Sequence, residues 1–306
     1  MKKSPKIAVQ FFGHLRTFEK CAHSVQKHIL SKYDCDVFMH TWSDTEHCTQ
    51  TWHNAKSEIR SVNEDIIKKI EKIYNPKMEV VEKQILPKND KLIPCLQNNG
   101  EKNISSAGMN FMLQSQIKVN ELRRQYAKKN HIKYDMVIMI RPDIYLKSDI
   151  DLVEIINQSK KVIDYPARFC VSNALKKGSS NAFVTDIMSD VLYMATPDNM
   201  DLIVNKFKLV KFENFSNKMW TPESLITNIL AQGGISTLAL FFFFNRDFEI
   251  IRGKEKRRRY ISLKISPTKF KLHILGLIKK NIFSLDVCFF NFFNIDVSIG
   301  NSYAKY

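Results

Sequence analysis

The segment of residues 134–146, YDMVIMIRPDIYL, constrains the fold of this chain more than any other. Its apolar residues 136–140 run without interruption and are followed at once by Arg141, Pro142 and Asp143. A short unbroken apolar run is typical of a strand buried on both faces, as in a parallel α/β sheet. Because proline cannot donate to a sheet ladder, Pro142 ends the pairing. Arg141 and Asp143 are therefore predicted at the edge where open α/β sheets bind ligands, although a structural ion pair between them would also explain this run.

Predicted strands alternate with predicted helices along the first half of the chain. The strands are 7–12, 35–39, 78–81 and 134–140, and the helices are 18–31, 61–74 and 105–126, the last capped by Ser105 or Ser106. Beyond Asp143 the predicted strands are 161–165, 191–194 and 238–244, with helices at 198–207 and from Pro222 to Gly233. Residues 88–105 are polar and are predicted to form a mobile loop. This order predicts a Rossmann-like α/β fold, with a mostly parallel central sheet flanked by helices.

The composition is that of a globular protein with a substantial core. The chain has 306 residues, of which 44% are hydrophobic and 25% are charged. No run of about 18 apolar residues is present, so no transmembrane helix is expected. The apolar segment near the N-terminus is too short for a secretory signal. The six cysteines form no C-x-x-C pair, which indicates reduced thiols and a cytoplasmic protein.

Positive charge is concentrated near the C-terminus. The formal net charge is +16, and residues 252–280 hold eleven Lys and Arg against one Glu. Apolar and aromatic residues follow, so we predict an α/β domain at 1–252 and a basic, apolar extension at 253–306. Such an extension suits an anionic membrane surface. Nucleic-acid binding, or a solvated extension with a last packed helix, would also account for it.

Several short motifs recur in the order found in one enzyme family. They are Gly13-x-x-Arg16, Asp36-Val37-Phe38-Met39-His40-Thr41-Trp42, Met109 and Met112 before Tyr134-Asp135, Arg141-Pro142-Asp143, Asp190 ahead of Pro197-x-x-Met200, and Pro222-Glu223. The ordered set resembles bacterial glycosyltransferases of the GT-A type that build capsule and lipopolysaccharide. The likeness covers about residues 5 to 252, and Ala195 stands where the family usually has glycine.

The resemblance implies a hexosyltransferase-type enzyme that moves a sugar from a nucleotide-diphosphate-sugar to a growing cell-surface glycan. The donor-binding residues it implies are Gly13, His14, Arg16, Thr41, Trp42, Asp44, Arg141 and Asp143. Such enzymes usually hold a divalent metal with D-x-D, where this chain has R-x-D. Asp143 is then the expected ligand of Mn²⁺ or Mg²⁺. Arg141 cannot bind a metal, but a guanidinium can hold a phosphate and offset the charge of the leaving group.

Two carboxylates are implied as the catalytic residues, Asp190 and Glu223. If the anomeric centre inverts, one of them would take the proton of the acceptor hydroxyl as a general base. A retaining reaction needs no such base, and the sequence leaves both outcomes open. Glu223 would also be favoured by the helix dipole in a first turn, and Asp190 could be a turn residue.

The implied partners are a nucleotide-sugar donor, a glycan or lipid-linked glycan acceptor and an anionic membrane surface. A lipid-linked acceptor would explain the basic, apolar extension, which predicts a peripheral enzyme on the inner face of the cytoplasmic membrane. Two alternatives are a basic nucleic-acid-binding protein and a non-catalytic relative of the transferases. The first is disfavoured because most of the excess charge lies in one terminal segment rather than beside the motifs, so no nucleic acid partner is expected.

Overall fold

The computed structural model describes most of the predicted α/β domain. The described residues are 4–47, 58–88, 90, 92–97, 100–161, 169–170, 189–210, 222–232, 238–239, 242 and 246–252. They all belong to one compact unit, formed by Met1–Ala174 and Val184–Glu255. The predicted extension at 253–306 lies outside the described residues, as do Thr221, Gly233 and most of the strand predicted at 238–244.

Strands and helices alternate along this unit. The strands are β1 (Lys6–Phe12), β2 (Asp34–Trp42), β3 (Met78–Glu82), β4 (Leu92–Gln97), β5 (Gly100–Ser105), β6 (Met136–Ile140), β7 (Ile144–Leu146), β8 (Phe169–Cys170), β9 (Leu192–Ala195), β10 (Leu238–Ala239) and β11 (Phe248–Ile250). The helices are α1 (Phe18–Val25), which continues as a π-helical turn at Gln26–Leu30, then α2 (Glu64–Tyr74), α3 (Ser106–Asn130), α4 (Leu152–Lys161), α5 (Pro197–Lys208) and α6 (Pro222–Gln232). None of the helices described is both long enough and apolar enough to cross a bilayer.

The central sheet has five strands in the order β3-β2-β1-β6-β9. All neighbouring pairs are parallel except β6 and β9, which are antiparallel. Side chains of β1 alternate between the two faces: Ile7, Val9 and Phe11 pack with the residues of α1, α2 and α4, while Ala8 and Phe12 pack with those of α3, α5 and α6. The prediction of an α/β fold with a mostly parallel central sheet flanked by helices is confirmed, and this arrangement is compatible with a Rossmann-like fold.

The strand order creates a crevice beside β1. The chain proceeds outward from β1 to β2 and β3, and then returns to the other side of β1 to form β6. The connection that follows β1 therefore leads toward β2, whereas the chain after β6 continues on the opposite side of β1. In open α/β sheets a ligand typically binds in the crevice at such a switch point.

Some predicted elements differ from the structure. The second strand extends beyond residue 39, because His40 to Trp42 pair with Val80 to Glu82 of β3 instead of opening a loop. The predicted loop 88–105 contains the antiparallel strands β4 and β5, whose ladder ends at Gln97 and Gly100. Lys161 is the last residue of α4, and the rest of the strand predicted at 161–165 lies outside the described residues. These differences arise because a distant strand or a packed helix face can override a weak local pattern.

Asn63 caps α2 at its N-terminus. Its Oδ1 accepts a hydrogen bond from the amide of Ile66 at 3.1 Å. We expect Asn63→Ala to lower the free energy of unfolding by about 1 kcal/mol, and Asn63→Gly by only a few tenths, because glycine is itself a tolerated cap. Urea denaturation monitored by circular dichroism measures both. Equal losses for the two variants would contradict a capping role.

Candidate functional site

Four segments meet at the carboxyl edge of the sheet. They are the turn after β1, the loop after β2, the loop between β6 and β7, and the two residues after β11. They bring together Arg16, Glu46, Arg141, Asp143 and Arg252, which we call the arginine cluster. Its members come from distant parts of the sequence and enclose the switch point between β1 and β6.

Asp143 is the centre of the arginine cluster and is fully buried. Arg141 donates to both of its carboxylate oxygens, with Nε 2.9 Å from Oδ1 and Nη2 bonded to Oδ2. Arg16 Nη1 donates to Oδ2 at 3.3 Å, and Arg252 Nε lies 3.8 Å from the same oxygen. Burial alone would raise the pKa of Asp143, but the charges of Arg141, Arg16 and Arg252 outweigh it and hold that pKa below its usual range. Asp143 is therefore an anion at neutral pH.

Arg16 is held in a specialised backbone conformation. Its φ is 46°, in the left-handed region that non-glycine residues seldom adopt. Its amide donates to the carbonyl of Thr45 at 2.7 Å, and its Nε donates to Glu46 Oε1 at 2.9 Å. Such conformations are concentrated at functional sites, where the surroundings compensate for the strain. The β1 turn and the β2 loop thus fix the direction of this guanidinium.

Gly13 begins the same turn, with a φ of 89°. Apart from its chain neighbours, no atom of the described residues lies within 4 Å of the position that a β-carbon would occupy there. The amide of Gly13 donates to Ser115 Oγ at 2.7 Å. The position leaves room for a ligand to approach the main chain closely.

Two residues of the arginine cluster were not predicted from the sequence, Glu46 in the loop after β2 and Arg252. Arg252 follows β11, which pairs antiparallel with β7 so that Ile250 lies opposite Ile144. The amide of Ile251 donates to the carbonyl of Asp143 at 2.9 Å, and Thr17 Oγ1 donates to the carbonyl of Ile251. No local motif marks this ribbon. The only feature of the sequence that singles out Arg252 is its place as the first residue of the basic segment 252–280.

The charges of the arginine cluster do not balance. Three guanidinium groups face two carboxylates, those of Asp143 and Glu46. Burial opposes ionisation of Glu46, but Arg16 outweighs burial and lowers the pKa of Glu46 to about 2. Burial, together with Arg141 and Arg16, lowers the pKa of Arg252 to about 9, which still leaves it charged at neutral pH. The cluster therefore carries one excess positive charge.

Asp190 and Glu223 lie close enough to interact electrostatically with each other. Asp190 is buried immediately before β9, and Glu223 is in the first turn of α6. Burial and the charge of Glu223 raise the pKa of Asp190 to about 7, while Arg141 and Arg252 oppose the rise. The structure therefore associates Asp190 with the arginine cluster, and Glu223 with Asp190. A carboxyl group that titrates near neutrality is suited to accepting a proton.

His14 and Asp44 meet beside this region. The carbonyl of Asp44 can only accept, so His14 Nδ1 carries the hydrogen of their 2.8 Å bond. Burial and the charge of Arg16 lower the pKa of His14 to about 3, which makes its ring neutral. Its buried Nε2 has no hydrogen-bond partner among the described residues and is left as an acceptor.

Thr41 and Trp42 have packing roles in the structure. Trp42 is buried, and its ring contacts Phe111 and His40 with centroid distances of 5.3 and 4.8 Å. Thr41 is also buried and donates weakly to the carbonyl of Trp42 at 3.4 Å. Both lie in β2 rather than in the loop after it. Of the predicted donor residues, these two are part of a strand and lie outside the arginine cluster.

The residues present do not fit a divalent cation at Asp143. Both carboxylate oxygens already accept hydrogen bonds from guanidinium groups. A cation would enter a cluster that already carries excess positive charge, and Coulomb repulsion would oppose it. The part of the chain that the structure describes contains no group of three or more His, Cys, Asp or Glu side chains arranged to hold a metal.

The arrangement is suited to binding an anion beside a carboxyl group of near-neutral pKa. Guanidinium groups match the oxygens of phosphates and carboxylates in a forked geometry. No protein-family model matches the chain, and no curated protein matches its sequence.

Proposed function

We propose that this chain is a glycosyltransferase of the GT-A type that moves a sugar from a nucleotide-diphosphate-sugar to a growing capsule or lipopolysaccharide glycan. The observation that carries the proposal is the arginine cluster at the switch point of the sheet, with Asp190 and Glu223 beside it. The family resemblance of the sequence motifs supplies the substrate class. Four of the residues in those motifs, Arg16, Arg141, Asp143 and Asp190, interact in the structure.

The cluster suits the charge that develops during sugar transfer. When the bond between the sugar and the diphosphate breaks, negative charge accumulates on the leaving phosphate oxygen. Fixed guanidinium groups stabilise that charge more than they stabilise the bound donor, so they lower the barrier. The buried position of Arg141 and Arg252 strengthens the effect, because less water screens their charge.

The carboxyl pair suits the second half of the reaction. An acceptor hydroxyl must lose its proton as it attacks an anomeric centre that inverts. We propose Asp190 as the general base and Glu223 as the carboxylate that raises its pKa. The neutral His14, with an unprotonated Nε2, offers a further hydrogen-bond acceptor for a donor hydroxyl or amide.

The acceptor and location are proposed from the sequence of the C-terminal extension. A lipid-linked acceptor and a peripheral position on the inner face of the cytoplasmic membrane would account for its basic and apolar residues. Nucleic-acid binding has less support, because it requires exposed basic residues and the arginines of the cluster are buried or nearly so.

A thermal-shift screen of nucleotide-sugars tests the proposal. A ligand that binds only the folded protein adds about 2.7 kcal/mol at a hundred times its Kd. We expect at least one nucleotide-sugar to raise Tm by several degrees, and nucleoside diphosphate to be released when it is incubated with a glycan acceptor. The matching free sugar and nucleoside monophosphate serve as controls. The absence of both a shift and released diphosphate across the common uridine, guanosine, cytidine and thymidine donors would refute the proposal.

A further inference from the structure

We infer that the arginine cluster is a metal-independent phosphoryl site, in which Arg16 and Arg252 contact the anion directly while Arg141 and Asp143 hold them in place. The assignment of this anion to the diphosphate of the donor rests on the proposed function. The site itself rests on the contacts and charges described below. Arg252 is its new member, and no sequence motif assigned it a role.

The hydrogen bonds within the cluster distinguish two kinds of arginine. Arg141 is committed to Asp143, because its Nε and Nη2 bond to the two carboxylate oxygens. Arg252 Nε is buried and has no hydrogen-bond partner among the described residues. A buried donor without an acceptor is costly, and native proteins normally satisfy it. Arg252 Nε is thus the buried guanidinium donor of the cluster that lacks an acceptor among the described residues.

The charge balance of the five cluster residues also favours an anion, since Asp190, which faces Arg141 and Arg252, is only partly ionised near neutral pH. Arg16 is shared between Glu46 at 2.9 Å and Asp143 at 3.3 Å, while Arg252 reaches Asp143 only at 3.8 Å. Two carboxylates therefore serve three guanidinium groups. Burial disfavours the charged form of Arg252 most, and Arg141 and Arg16 repel it more strongly than Asp143 attracts it. An anionic ligand would remove this imbalance, whereas a metal ion would increase it.

The backbone preorganises the cluster before any ligand arrives. The amide of Ile251 bonds to the carbonyl of Asp143, and Thr17 bonds to the carbonyl of Ile251. The amide of Arg16 bonds to the carbonyl of Thr45. These bonds tie the turns after β1, β2 and β6 to the segment after β11. Fixed donors of this kind bind an anion without a cost for reorganisation.

Calorimetric titration of the full chain with inorganic pyrophosphate and with UDP tests the site. Both ligands are expected to bind in buffer containing EDTA. Addition of Mg²⁺ should leave the Kd unchanged or weaken it, because the cation competes for the same phosphoryl oxygens. Binding that appears only when Mg²⁺ or Mn²⁺ is present would overturn the inference.

Variants of Arg252 identify where the anion binds. Arg252→Gln should weaken pyrophosphate binding about tenfold or more, which corresponds to about 1.4 kcal/mol. Arg252→Lys should recover part of the loss, because it keeps the charge without the forked geometry. Arg124→Gln is the matched control: it also removes one guanidinium, but from a half-exposed ion pair with Asp201. Wild-type affinity in Arg252→Gln would refute the inference.

The stability of the ligand-free variants provides a second readout. Because the other arginines repel Arg252, Arg252→Gln should raise Tm in the absence of ligand while it lowers anion affinity. A purely structural arginine would show a lower Tm on substitution, and that result would contradict a ligand-binding role.

Failure of the inference and failure of the proposed function are distinguishable. Metal-free binding of pyrophosphate without turnover of any nucleotide-sugar would uphold the site and refute the transferase. Turnover that requires Mn²⁺ would uphold the transferase and refute the metal-independent site.

Discussion

Replacement of Asp143 by asparagine is expected to lower the free energy of unfolding by about 3–5 kcal/mol, because it leaves buried charges without their counterion. Asparagine preserves the size of the side chain and removes only its charge. Arg141, Arg16 and Arg252 would then face one another, with Glu46 as the remaining carboxylate of the cluster. Urea denaturation at pH 7 measures the loss.

The pH dependence of this loss follows from the direction of the pKa shift. The pKa of Asp143 is held below that of an unfolded aspartate, which is about 3.9. The folded protein therefore binds this proton less tightly than the unfolded chain does, and the stabilisation is fully present above about pH 4 to 5. It is lost as the pH falls through the folded pKa. The difference between wild type and Asp143→Asn should thus be constant near neutrality and should narrow in acid.

Asp34→Asn is the matched control for Asp143→Asn. Asp34 also has a basic partner, with Lys6 Nζ 2.8 Å away, but about half of its side chain is exposed. Exposed ion pairs contribute about 1 kcal/mol or less. If the two substitutions lower the free energy of unfolding equally, Asp143 is not the counterion of three buried guanidinium groups.

The donor-hydrolysis activity of Asp143→Asn should fall at least tenfold, because Arg16 and Arg252 would lose the carboxylate that both of them contact. The activity is measured under conditions in which the variant is folded.

The central sheet was predictable because its strands carry strong local signals. β6 is an unbroken apolar run, β1 is apolar from Ile7 to Phe12 except at Gln10, and the structure buries every residue of β6. Short turns and polar capping residues mark where these strands end and where the neighbouring helices, each with one apolar face, begin. From this alternation, the meeting of Arg16 and Asp143 could be expected, since both follow parallel strands that end at the same edge.

Other features depend on pairings between distant residues, which a local pattern does not encode. The end of β2 is set by β3, so Thr41 and Trp42 become strand residues and pack against protein. The β7–β11 ribbon, which delivers Arg252, joins segments more than a hundred residues apart. Three-residue strands have no detectable periodicity of their own. Asp143 was predicted to hold a metal from the family resemblance, with an ion pair to Arg141 as the alternative that the structure shows. The approach of Arg252 to the same carboxylate could be identified only in three dimensions.

Asp190→Asn is expected to separate activity from stability. If Asp190 is the general base, transfer should fall about 10²–10⁴-fold, because asparagine cannot accept the proton. Stability should change in the opposite direction to that of Asp143→Asn. Burial and Glu223 raise the pKa of Asp190 to about 7, so its ionised form is disfavoured in the folded protein. The asparagine removes that penalty and should raise the free energy of unfolding at pH 8 by about 1–4 kcal/mol.

The sign of this effect can be checked against pH. The folded protein holds the proton of Asp190 more tightly than the unfolded chain, so wild-type stability falls as the pH rises from about 4 to about 7. The gain in the free energy of unfolding from Asp190→Asn should therefore be absent near pH 4 and complete above pH 7.

The pH–rate profile of the wild type should rise with an apparent pKa near 7, and Glu223→Gln should shift that pKa downward. Because the two carboxyl groups interact, this apparent pKa belongs to the pair. A rate profile that stays unchanged in Glu223→Gln, together with full activity in Asp190→Asn, would exclude the pair from proton transfer.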